Sequence, residues 1–210
     1  MARITALRLG KGRNKKANVS LDGKLAFNLE PEVALKEGLK VGQELSANRI
    51  EALIKTSRQQ SCYDAALRYL GYRPRSEYEI RQRLYQRGFD NNSIKAALSR
   101  LKEQGLIDDN DFARFWRDNR QSFSPRSKWL TKLELKQKRV PDEIIEQVVS
   151  TIDDVKNAYS VAKVKAHSLT QCDYQSFRRR LGDHLKRRGF SYGIIIKTIE
   201  QLWQERGLPG

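Results

Sequence analysis

The chain writes one pattern three times: positions 84–89 read LYQRGF, 135–140 read LKQKRV and 185–190 read LKRRGF. Phe89, Val140 and Phe190 stand 51 and 50 residues apart. Five residues before each lies a leucine, namely Leu84, Leu135 and Leu185, and five after lies an isoleucine, Ile94, Ile145 and Ile195. Leu98, Val149 and Ile199 follow at nine residues, and Leu101, Ile152 and Leu202 at twelve. All fifteen places are apolar in a chain that is 39% hydrophobic. A period of about fifty residues marks a repeat architecture, in which each unit is one small supersecondary module and neighbours pack in series.

The spacing within each copy is helical. Residues 48–72 carry Ile50, Leu53 and Ile54, then Ala65, Ala66, Leu67 and Leu70, with Gly71 placed for a left-handed helix stop. SEYE at 76–79 has the form of a capping box and opens a helix with Ile80 and Leu84 on one face, ending at Gly88. A third helix carries Ile94, Leu98 and Leu101 and closes at Gly105. Each six-letter motif therefore predicts the end of a middle helix, a tight turn and an apolar plug packed within its own unit. The middle copy has Arg139 in place of glycine, and Pro141 then opens its last helix with Asp142 and Glu143 near the positive end of the dipole.

The expected fold is mainly α: three tandem three-helix repeats forming an elongated body, at residues 58–106, 107–153 and 154–210. A connecting helix at 47–57 joins them to a small β-rich N-terminal module, residues 1–46. In that module RITALRL (3–9) alternates like a strand, and ANVSLDGKLAFNL (17–29) holds Asp22–Gly23 between two alternating runs, as a two-residue hairpin does. PEVALKEGL (31–39) reads as a short helix and VGQELS (41–46) as a further strand. GKGRNKK (10–16) lacks the spacing of a phosphate-binding loop and reads as a charged connection.

A formal net charge of +16 implies an anionic partner, because such an excess repels itself without one. The charge is uneven: residues 58–106 hold 10 basic and 5 acidic side chains, 107–153 hold 9 and 9, and 154–210 hold 11 and 5. The candidate contacts are therefore in the outer repeats: Arg83 and Arg87, then Arg178, Arg179, Arg180, Lys186, Arg187 and Arg188. Tyr72, Tyr78, Tyr85, Trp129, Tyr174 and Phe177 stand near these charges, where they either stack on bases or, as helical spacing favours, join the core.

No catalytic constellation emerges, and no catalytic, cofactor-binding or metal-binding residue is expected. Asp108, Asp109 and Asp111 precede a helix carrying Phe112, Phe115 and Trp116, where acids cap free N–H groups. His184 reads as a surface residue, and Cys62 and Cys172 as packing or loop residues that fit no metal-ligand spacing. The N-terminus has no apolar signal-peptide core, and no run of apolar residues suffices for a membrane span, so a cytoplasmic protein is expected.

RPRSEYEIRQRLYQRGF (73–89), LKEQGLIDDNDFARFW (101–116) and LKRRGFSYGIIIKTI (185–199) together resemble the RecX family of bacterial regulatory proteins, over about residues 58–206. The resemblance implies tandem three-helix repeats and no catalytic activity, and a monomer is expected. It implies binding to the RecA recombinase and its filament on single-stranded DNA, with suppression of ATP hydrolysis and strand exchange. It supplies no set of functional side chains to carry over. Two other readings stand beside it: a DNA-binding protein acting on naked DNA without a recombinase, and a metal-dependent nuclease using Asp108, Asp109 and Asp111.

Overall fold

A computed structural model describes residues 1–10 and 16–206; most of the basic loop read at 10–16 lies outside them. Contacts divide the chain into two compact units, Met1–Arg73 with Glu79–Ile107, and Pro74–Tyr78 with Asp108–Gly210. The chain is mainly helical with a small N-terminal sheet, as the sequence predicts.

In the first unit, β1 (Ala2–Leu9), β2 (Ala17–Leu21), β3 (Lys24–Leu29) and β4 (Glu44–Leu45) form an antiparallel sheet in the order β3-β2-β1-β4. Asp22 and Gly23 turn the hairpin with φ of 48° and 85°, the left-handed pair that a two-residue connection requires. The last strand is shorter than the alternation of 41–46 suggests, because Val41 and Gly42 are used in a turn. α1 (Pro31–Lys36) leads on to α2 (Ala47–Leu70), a single unbroken 24-residue helix. Its first half puts Leu53 into the sheet's core of Ile4, Val19, Leu29 and Leu45. Its second half puts Cys62, Tyr63, Ala65 and Ala66 against α3 (Glu77–Gln86) and α4 (Asn91–Glu103). Residues 47–57, expected to connect two parts, are thus the opening turns of a helix that belongs to both cores. Gly71 ends it at φ −59°, a right-handed cap and not the left-handed stop expected.

The second unit holds two further helical triplets: α5 (Asp109–Phe123), α6 (Lys128–Gln137) and α7 (Asp142–Ser150), then α8 (Asp154–His167), α9 (Tyr174–Lys186) and α10 (Tyr192–Arg206). Each triplet in the chain has its own core. Of the fifteen aligned apolar positions fourteen are buried, and the remaining one, Phe89, is partly buried against its own triplet's core. The repeated motif ends each middle helix, and its fifth residue is left-handed every time: Gly88 at φ 81°, Arg139 at 56°, Gly189 at 81°.

Within the second unit the motif also receives the start of the preceding middle helix. The Ser76 hydroxyl donates to the Lys138 carbonyl at 3.0 Å, and the Ser127 amide donates to the Arg188 carbonyl at 3.0 Å. Lys138 and Arg188 occupy the same place in successive motifs. Asp109, the first residue of α5, accepts from the Glu77 amide at 3.0 Å; Asp154, the first residue of α8, accepts from the Lys128 amide at 2.6 Å. Glu77 and Lys128 open their helices, so each aspartate satisfies an amide that its helix leaves free. The acids near 108 are therefore caps, but shared ones: Asp108 caps α5 itself, and Asp109 caps α3. The Glu79 carboxylate accepts two hydrogen bonds from Arg73.

Glycine matters at one of these junctions. A Cβ on Gly189 would lie 2.7 Å from Leu130 Cβ and Ser127 Oγ and 3.1 Å from Trp129, whereas one on Gly88 would meet nothing within 4 Å. The middle triplet spends its charges internally. Glu134, 8% exposed, accepts from Trp116 Nε1 at 2.7 Å and Arg120 Nε at 2.9 Å and also pairs with Arg126. Lys136–Asp142 and Lys132–Glu146 pair at its surface. His184, expected at the surface, is half-buried beside Arg188, whose NH1 lies 3.3 Å from its Nδ1. Burial, then Arg188, Lys165 and Arg187, hold its imidazole below the ordinary histidine range.

Three outcomes follow. Gly88→Ala is expected to cost about 1 kcal/mol from left-handed strain alone, and Gly189→Ala at least about 2–3 kcal/mol because its methyl also meets the preceding helix; equal shifts in urea midpoint would contradict the packed junction. Glu134→Gln is expected to cost about 2–4 kcal/mol, by leaving two guanidinium groups half-buried without their anion. The exposed Glu146→Gln should cost less than about 1 kcal/mol in the same assay. His184 titrates lower when folded, so the unfolded chain takes up its proton first as pH falls. Its contribution is whole above the ordinary histidine range and lost as pH falls through it. His184→Gln is expected to flatten the loss of unfolding free energy between about pH 7.5 and pH 5; an unchanged slope would place the titrating group elsewhere.

Candidate functional site

The densest basic segment folds as α9. Phe177, Leu181 and Leu185, four residues apart, are buried and fix which face turns inward. Phe177 packs on Trp203 of α10 at a centroid distance of 5.3 Å, and Tyr174 meets the same indole edge-on at 5.2 Å. Asp173 starts the helix by accepting from the Ser176 amide, and the Ser176 amide and hydroxyl hold its carboxyl below the usual range. Arg178, Arg179 and Arg180 are left facing outward.

The faces of α9 and α10 enclose a groove of about 710 Å³. Tyr174, Arg178, Gly182 and Lys186 run along one wall at intervals of four residues, with Arg179 and Asp183 beside them. Phe190, Ile195, Ile196 and Ile199 supply the apolar floor, and Tyr192, 73% exposed, stands at the mouth. The groove thus combines cationic rims, tyrosines and an apolar floor. It has no nucleophile paired with a base.

Of the eight sequence-predicted contacts, Arg178, Arg179 and Lys186 line this groove. Arg180 and Arg187 are exposed outside its lining. Arg188 is half-buried: its guanidinium turns to His184 and its carbonyl takes the Ser127 amide, so it serves the junction. Arg83 and Arg87 belong to the first unit and are exposed, Arg83 lying 5.8 Å over the Tyr69 ring. The aromatics divide. Phe177 is core, as helical spacing suggests, but Tyr72, Tyr85 and Trp129 are 84%, 64% and 62% exposed. Gly182, Ile196 and Tyr192 were not singled out from the sequence. The four-residue spacing of Tyr174, Arg178, Gly182 and Lys186 was the available signal.

Among the described residues no group of three His, Cys, Asp or Glu side chains is placed to hold a metal ion. Asp108 and Asp109 are committed to amides. Cys62 is fully buried, and burial followed by the Asp90 charge pushes its thiol up to about 12, so it stays protonated at neutral pH.

Two family models match, described as the first and second three-helix domains of RecX, over residues 62–101 and 108–149. The chain is 29% identical over 206 residues to the regulatory protein RecX of Clostridium botulinum (strain Eklund 17B / Type B), covering 96% of each chain. It is 34% identical over 143 residues to the regulatory protein RecX of Chlorobaculum tepidum, covering 68% of this chain and 89% of that one. The fold superposes on a crystal structure of regulatory protein RecX with a TM-score of 0.68 at 23% identity, covering 96% of this chain and all of the other. Domain models, full-length relatives and fold agree, and the chain belongs to the RecX family of regulatory proteins.

Proposed function

We propose that this protein is a monomeric, cytoplasmic regulator that binds the RecA recombinase filament on single-stranded DNA and lowers its ATP hydrolysis and strand exchange. The observation that carries the reading is the exposed cationic face of α9 in a member of a regulatory family whose net charge is +16. A filament presents many copies of the same surface together with DNA phosphates, so modest contacts from several helical triplets add through effective concentration. Bound subunits are biased toward one relative arrangement. If that arrangement is not the hydrolytic one, turnover falls with no chemistry by the regulator. Arg83, Arg87, Arg178, Arg179, Arg180, Lys186 and Arg187 are the proposed contacts, with Arg188 supporting them from within the junction. Among the described residues no helix is long and apolar enough to cross a membrane, and both cysteines are free, which suits this setting.

The test is the single-stranded-DNA-dependent ATPase of the cognate recombinase, titrated with this protein. Turnover is expected to fall, less so as salt rises, and the double change Arg178→Glu with Arg179→Glu is expected to raise the concentration needed at least about ten-fold. Unchanged turnover at a micromolar excess of the unmodified protein would end the proposal.

A further inference from the structure

Gly182 stands in the middle of α9, where glycine weakens a helix relative to alanine. Nothing inside the protein calls for it. Its backbone lies outside the left-handed region, and a Cβ there would rest 3.7 Å from Ile199 Cδ1 and 3.9 Å from Ile195 Cγ2, ordinary contact distances. Its missing side chain opens the floor of the α9–α10 groove midway along a wall of 13 residues, about 20 Å long. A glycine facing a groove leaves room for another backbone to approach closely.

We propose that this groove is a docking site for an amphipathic, acidic helical segment of a recombinase subunit, an inference that rests on the function proposed above. The floor of isoleucines and Phe190 suits an apolar stripe at i, i+3, i+4 and i+7, and the length of the wall suits about three helical turns. Arg178, Arg179 and Lys186 on the rim suit carboxylates flanking that stripe. A nucleic-acid strand could use the rim cations and tyrosines but would leave the isoleucine floor without a stacking or hydrogen-bonding role. A second copy of this chain would set one cationic rim against another.

The experiment measures binding of the labelled full-length protein by fluorescence anisotropy to two probes: the filament of the cognate recombinase on single-stranded DNA, and a naked oligothymidylate. Gly182→Leu fills the groove, and circular dichroism reports whether it folds. Arg179→Glu changes an exposed side chain on the rim and serves as the second variant. Each is expected to weaken filament binding at least about ten-fold. Gly182→Leu is expected to leave oligothymidylate binding unchanged. If Gly182→Leu folds and both variants hold the filament as tightly as the unmodified protein, the groove is not the docking site, although the recombinase reading stands. If Gly182→Leu instead abolishes oligothymidylate binding, the groove takes nucleic acid and the proposal is wrong. Concentration-dependent dimers lost on the same change would make the occupant a second copy and overturn it too. Failure of the unmodified protein to bind the filament at all would sink both this inference and the function it rests on.

Discussion

The structure depends on how a helix begins. Four amides at the start of any α-helix have no partner within it, and a buried start must find acceptors elsewhere. At the starts of α3 and α6 one acceptor comes from further along the chain. The first residue of the following triplet lends a carboxylate, Asp109 to Glu77 and Asp154 to Lys128, while the carbonyl of Lys138 or Arg188 receives the serine just ahead of the helix. Within the second unit the start of α6 meets the end of α9, so the positive end of one dipole faces the negative end of the other. All three copies of the six-letter motif turn the chain into the third helix of their own triplet, and the second and third also receive the start of the helix before.

The three copies differ where their neighbours differ. Gly189 lies under Trp129 and the first turn of α6, where a side chain has no room. Arg139 takes the same left-handed backbone with a full side chain, its guanidinium 5.9 Å from the Tyr78 ring. Gly88 lies in the first motif, and its own carbonyl accepts from Arg58 of the same triplet. Charge follows a similar division. The balanced middle triplet pairs its ions around Glu134 and along its surface, whereas α9 has cations in excess and holds them outward. The mean charge of the chain therefore understates how strongly one helix can attract an anionic partner.

Much of this was legible in the sequence, because the signals were periodic and local. The register of Leu84, Leu135 and Leu185 holds, as does the hairpin at Asp22–Gly23, since burial and left-handed turns each restrict residue type sharply. The misses involve partners distant in sequence. Asp109 looks like a cap for its own helix because its real partner lies 32 residues away. Gly71 looks like a left-handed stop because glycine so often is one, yet α2 closes right-handed. Glu134 sits among lysines in the sequence, and its partners Trp116, Arg120 and Arg126 are brought to it only by the fold. The groove was hidden for a related reason: apart from Ile196, its floor is made of residues whose spacing had already marked them as core.

The central claim is that the two triplets of the second unit hold one another through these helix ends, and amide hydrogen exchange in Asp154→Ala tests it most directly. Asp153 still caps α8, so a purely local role for Asp154 would confine any change to that helix. The account expects the amide of Lys128, 26 residues upstream, to exchange faster and α6 to lose about 1–2 kcal/mol of protection. Undisturbed protection at Lys128 and through α6 would contradict it.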